Sequence, residues 1–106
     1  MALKLTNNAS STLQSAISDT DTSLSVATGD GDLFPVLSTG DYFELTLVDT
    51  SGALEIVRAT ARTGDALTVT RAQAGTTAIP FAAGARVELR VTVGNLDAIG
   101  DGYLEL

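Results

Sequence analysis

Carboxylates are the side chains of this sequence best spaced to do chemistry. Asp19, Asp21, Asp30 and Asp32 fall in two neighbouring polar stretches, DTDT (19–22) and GDGDLFP (29–35). Carboxylate and carbonyl oxygens are what calcium takes. A calcium loop needs more ligands than D-x-D, however, and the twelfth position counted from Asp30 is Asp41 rather than a glutamate. These aspartates therefore read as turn formers, and no metal is expected. Glu44, Glu55 and Glu88 raise the second option, paired carboxylates for glycoside hydrolysis. They lie in alternating runs, where a solvated face or a cross-strand pair with Arg58, Arg86 or Arg90 is the ordinary outcome. Two Tyr, three Phe and no Trp would furnish a sugar cleft poorly.

Other chemistries lack their parts. The chain has no histidine, hence no usual general base, no imidazole ligand and no switch near neutral pH. It has no cysteine, so disulfides and thiolate metal sites are excluded. Serines and threonines are many, yet there is no G-x-S-x-G elbow and nothing to activate a hydroxyl. The G-x-G at Gly29–Gly31 lacks a third glycine and no helical pattern follows it. A protein that is not an enzyme and holds no cofactor is the expectation.

The elements that position these residues are strands. Four runs alternate apolar and polar residues: DYFELTLV (41–48), LEIVRATA (54–61), ALTVTR (66–71) and RVELRVTV (86–93). Period-2 alternation is the pattern of half-buried strands. Short turn signals, DTSG (49–52) and RTGD (62–65), separate the first three, so the block reads as an antiparallel meander. The loop from Ala72 to Ala85 is longer than a hairpin needs, and loops of that length tend to be functional. Its apolar members Ile79, Pro80 and Phe81 either cap the core or meet a partner. Upstream, SSTLQSAIS (10–18) and SLSVA (23–27) read as a hairpin around DTDT, with Leu33 and Phe34 plugging the sheet's end. Leu3 and Leu5, alternating with Lys4 and Thr6, make residues 1–10 either an edge strand or an arm. After Gly94 the period changes: Asn95 can cap a helix, and Leu96, Ile99 and Tyr103 fall at helical spacing. The expected fold is all-β, a small antiparallel barrel or sandwich of about 6–8 short strands. Residues 1–10 form its N-terminal arm or edge strand, 11–93 the β domain, and 94–106 a short C-terminal helix or arm.

Composition narrows the partners. With 106 residues and 44% hydrophobic content, one packed domain is expected, burying roughly two-thirds of its unfolded surface. Six basic against thirteen acidic side chains leave a net charge of −7, which repels phosphate backbones, so no nucleic acid is expected. No run approaches the ~20 apolar residues of a membrane span. The start, MALKLTNN, lacks the apolar core of a secretory signal. Synthesis in a cytoplasm and no membrane contact are the expectations.

Within this frame the run EIVRATARTGDALTVTRAQAGTTAIPFAAGARVELRVT (55–92), preceded by ASSTLQSAISDTDTSLSVATGDGDLFP, resembles a small β-rich domain of tailed-bacteriophage virion proteins. That domain occurs at the N-terminus of tail fibres or as a short standalone tail protein. The EIV strand, the TARTGDALTVTR hairpin and the RAQAGTTA…F…AG…VELR segment carry the likeness. The family pattern has Gly after the arginine, where this chain has Ala72. The resemblance implies a structural protein of a virion assembled in a bacterial cytoplasm: an oligomeric tail adaptor, collar or fibre-attachment subunit, or else a capsid decoration protein. Its partners would be other virion proteins and copies of itself, with a trimer as first expectation. If the 106 residues are the whole protein, it has no shaft or receptor-binding tip of its own. Leu3, Leu5, Ile79, Phe81, Leu96, Ile99 and Tyr103 are the residues expected in subunit contacts.

Overall fold

Alternation becomes structure first in the middle of the chain. Phe43, Leu45 and Leu47 point to one side of a strand and are fully buried. Val57 and Ala59 on the next strand, and Leu67 and Val69 on the one after, join them on that side. Each buried Leu or Val of this set contributes about 1.5–3 kcal/mol. A computed structural model describes residues 3–6, 9–90 and 104–105. Among them the strands are β1 (Leu3–Lys4), β2 (Ser10–Thr12), β3 (Ser23–Ser25), β4 (Phe43–Val48), β5 (Leu54–Thr63), β6 (Ala66–Gln73), β7 (Arg86–Glu88) and β8 (Leu104–Glu105). A 3₁₀ turn covers Asp30–Leu33. The fold is all-β: a curled antiparallel sheet that forms a half-barrel.

The sheet order is β2-β7-β4-β5-β6-β3. Strands β4, β5 and β6 are the expected meander, but β7 does not continue it. Instead it returns across the sheet to pair with the free side of β4, Leu47 against Val87. Three consecutive strands with the fourth beside the first is the Greek-key order. The long loop between β6 and β7 is the crossover this order requires.

Two irregularities curl the sheet. Register shifts between Ile56 and Arg58 and between Ala59 and Ala61 put bulges into the β5–β6 pair. Bulges bend a strand and raise its twist. The first and last strands then meet where Leu13 bridges Val26 in antiparallel fashion. The expected hairpin of 10–18 with 23–27 is reduced to that contact. β2 pairs with β7, β3 pairs with β6, and Ile17 exchanges both backbone hydrogen bonds with Phe81.

At the chain ends, β1 pairs in parallel with β8, and Leu3 bridges Tyr42. The C-terminal helix expected within 94–106 falls mostly outside the described residues, and its end, Leu104–Glu105, is strand instead. Phe34 stacks on Phe43 with ring centres 6.0 Å apart and closes the interior, whereas Leu33, expected to plug the sheet's end with it, is 44% exposed.

A close backbone approach fixes the turn beneath Phe34. Asp65 accepts hydrogen bonds from the Gly29 and Gly31 amides at 3.0 and 2.8 Å. A Cβ on Gly31 would lie 2.1 Å from the Gly64 carbonyl oxygen, backbone against backbone. Gly31→Ala should therefore cost about 1–3 kcal/mol, the range for overpacking, measured by urea denaturation. A midpoint equal to wild type would show that the turn is not held this tightly.

Candidate functional site

The inward parity of β5 and β6 delivers two charges into the interior. Glu55 shares the face of Val57 and Ala59, and Arg71 that of Leu67 and Val69. Glu55 is fully buried and the Arg71 side chain is 8% exposed. The pair is bidentate: Arg71 Nε and Nη2 donate to the two Glu55 oxygens at 2.9 and 2.8 Å. The remaining capacity of both groups goes to backbone. Glu55 also accepts the Ala72 and Ile79 amides. Arg71 also donates to the carbonyls of Ser18, Asp21 and Ile79. Ala72 sits in the β6 bulge at φ 56°, and the carboxylate takes its amide. One ion pair thus ties together a bulge, the turn at 18–21 and the crossover loop.

Burial pushes the Glu55 carboxyl up, but the Arg71 hydrogen bond and the Ala72 and Ile79 amides outweigh it and leave the pKa below its ordinary value. The hydrogen bond to Glu55 raises Arg71 against the opposing effect of burial, with the charges of Glu55, Asp21 and Asp19 adding to the rise.

The outward face of β5, β4 and β7 carries a second set of charges. Glu44 stands opposite Arg58 in register, with Nη2 3.3 Å from its carboxylate. Arg58 also lies over the Tyr42 ring at 4.2 Å, a cation–π contact. On β7, Arg86 donates to Glu88 at 2.6 Å, and Arg90 donates to the same carboxylate from the other side. Burial pushes Glu88 up, and these two arginines more than offset it. A cavity of about 210 Å³ opens beside this face, lined by Gly40, Asp41, Tyr42, Arg58 and Thr60.

The aspartates hold turns. Asp49 accepts the Ser51 hydroxyl and the Ser51 and Ala53 amides. Those bonds, the hydroxyl first, lower its pKa against a small rise from burial. The amides of Gly29 and Gly31 do the same for Asp65. Asp21 caps the Ser18 amide, Asp41 caps the Ser38 amide and Asp30 accepts the Ser11 hydroxyl. Among the described residues no three acidic side chains converge as a metal site would require.

The residues expected in subunit contacts separate into three groups. Leu3 and Phe81 are buried in the chain's own core, Leu3 against Tyr42 and Phe81 against Ile17, which corrects their expected placement at a subunit surface. Leu5 and Ile79 pack partly against that core. Leu96, Ile99 and Tyr103 lie outside the described residues. Arg71 was not among the expected residues, although its inward parity with Leu67 and Val69 was the signal that could have found it. Neither a family model nor a curated protein matches the chain.

The ion pair makes a pH prediction. Glu55 is depressed in the folded state, so its stabilisation is complete above the ordinary carboxyl value of 4.5 and is lost as the pH falls through the folded value. Stability should therefore be flat above about pH 5 and decline in acid. Glu55→Gln leaves Arg71 buried and uncompensated, which should cost about 3–5 kcal/mol and flatten part of the acid decline. Guanidinium titrations of both proteins between pH 3 and 7 check this. Parallel pH curves would remove Glu55 from the explanation.

Proposed function

We propose that this chain is a non-enzymatic structural subunit of a tailed-phage virion, an oligomeric adaptor, collar or fibre-attachment protein bridging larger components. The observation that carries the reading is at Ala72. The virion-domain pattern that the sequence resembles has glycine there, and here the position is left-handed, φ 56°, where glycine is the unstrained residue. A glycine-type backbone conformation at the position where that pattern has glycine supports the reading, although the residue here is Ala72.

The use of the polar side chains supports the same class. Glu55, Arg71 and the turn aspartates spend their hydrogen bonds on backbone groups of the fold. A scaffold of this kind acts through its surfaces. The second reading, a decoration protein on the head, uses the same fold and differs in where the copies sit.

Mass spectrometry of gradient-purified particles from the producing lysate should find the chain in multiple copies. Immunogold labelling should then place it at the tail. A label spread over the head would transfer the reading to the decoration protein, and particles free of the chain would end both.

A further inference from the structure

Alternation along β4 and β5 builds the wall of the outward cavity. Phe43 pairs with Ala59 and both point inward, so Tyr42, Glu44, Arg58 and Thr60 share the other side. Gly40, at φ 87°, and Asp41, which caps the Ser38 amide, make the turn that enters β4. With Tyr42, Arg58 and Thr60 they line about 210 Å³. Pockets for drug-sized ligands run to roughly 300–1,000 Å³, so this one suits a single amino-acid side chain.

Arg58 has donors to spare here. Among the described residues, its Nε is the one buried side-chain nitrogen or oxygen without a hydrogen-bond partner. Arg62 and Arg71, by contrast, give Nε to the Pro35 carbonyl and to Glu55. The polar contact that Arg58 does make, Nη2 to Glu44 at 3.3 Å, is longer than the ordinary N–H···O range of about 2.7–3.2 Å. Tyr42 takes the face of the guanidinium at 4.2 Å, which leaves the N–H groups at its edge for other partners. A buried donor without an acceptor is destabilising, so an acceptor entering the cavity gains more at Arg58 than at a donor already paired.

Charge and shape select the ligand. Asp41 lines the same cavity on a chain of net charge −7, which disfavours an anion. Tyr42 is buried and stacked by Arg58, so it offers no open ring on which a sugar could lie. A primary amide is neutral and compact, and it carries an acceptor for the guanidinium and donors for the carboxylate.

We propose that this cavity receives a side-chain carboxamide, a glutamine or asparagine presented by a partner protein. Its carbonyl accepts from Arg58 Nε, turned within the stack on Tyr42, and its NH₂ donates to Asp41. The site stands on local geometry and would survive the failure of the virion reading.

Nuclear magnetic resonance titration of the full chain tests this, read at the Arg58 Nε–H and Gly40 amide resonances. Propionamide, the glutamine side chain as a free molecule, should shift both saturably. Propionate, its anionic isostere, and glucose should bind more weakly. N-acetylglutamine N-methylamide, which carries the same group on a peptide, should bind at least as tightly as propionamide. Arg58→Lys keeps the charge and loses Nε–H; it should raise the dissociation constant at least about tenfold, the weight of one hydrogen bond to a charged group. Thr60→Leu, at an exposed strand position, should fill the cavity and abolish the saturable shift with Arg58 in place. Circular dichroism checks that both variants fold. No saturable shift with propionamide, tighter binding of propionate or glucose, a blocked glutamine that binds more weakly than propionamide, or folded variants that bind like wild type would each overturn the proposal.

Discussion

The rest of the fold depends on the ion pair between Glu55 and Arg71. Moving two charges into a protein interior costs several kcal/mol each, and their attraction repays this only with good geometry and no unsatisfied group. Here the geometry is bidentate and the leftover donors and acceptors are matched by backbone groups. An apolar pair of equal volume is often as stable as a buried ion pair. In this chain it would leave the part-buried Ala72 amide, Ile79 amide and Ile79 carbonyl without partners, each a loss of about 1–3 kcal/mol. The charges are retained because irregular backbone converges on them.

That irregular backbone is a consequence of topology. β7 pairs with β4, so the chain after β6 must cross the end of the sheet before it can return. A crossing segment cannot use the ladder, and its amides and carbonyls need other partners. Glu55 and Arg71 serve Ile79, while Thr76 accepts the Ile56 amide that the bulge releases and donates to the Gln73 carbonyl. Phe81 then enters the core, and its backbone pairs with Ile17. The crossover is therefore packed structure over its middle part: Phe81 is buried and Ile79 half-buried against the core, while Pro80 between them is exposed.

Local features were legible in the sequence for a physical reason. The runs at 54–61 and 66–71 report strands with one wetter face, and period-2 alternation encodes that directly; the run at 43–48 alternates in the same way although Glu44 and Thr46 on its polar side are buried as well. The pair Glu44–Arg58 could be anticipated from strands joined by a short turn, since the turn sets the register. The partner of β7 could not be read this way. Val87 presents the same alternating face to β4 as it would to β6, and pairing choice depends on distant closure. The upstream hairpin failed similarly: Ser10–Thr12 and Ser23–Ser25 are short, polar on one face and weakly specified in register, and they pair instead with β7 and with the longer β6. Glu55 and Arg71 were hidden because a charged residue at an inward position is read as a break in the pattern, and only the pairing of β5 with β6 brings two such breaks together.

The same accounting shapes the functional argument. A catalytic carboxylate needs an environment that leaves it available, often with a raised pKa suited to proton transfer. The described carboxylates with resolved shifts, Asp49, Glu55, Asp65 and Glu88, are all lowered, and hydrogen bonds or arginines hold every one of them ionised. Such groups stabilise turns and pairs and are poor proton donors near neutral pH. The apolar residues left over are of another kind: Leu33 at the end of the 3₁₀ turn, Val36 on the loop after it and Leu54 at the start of β5. None is held by the requirements of the core, so the stability of the chain does not explain their exposure. Apolar groups in water gain when another surface covers them.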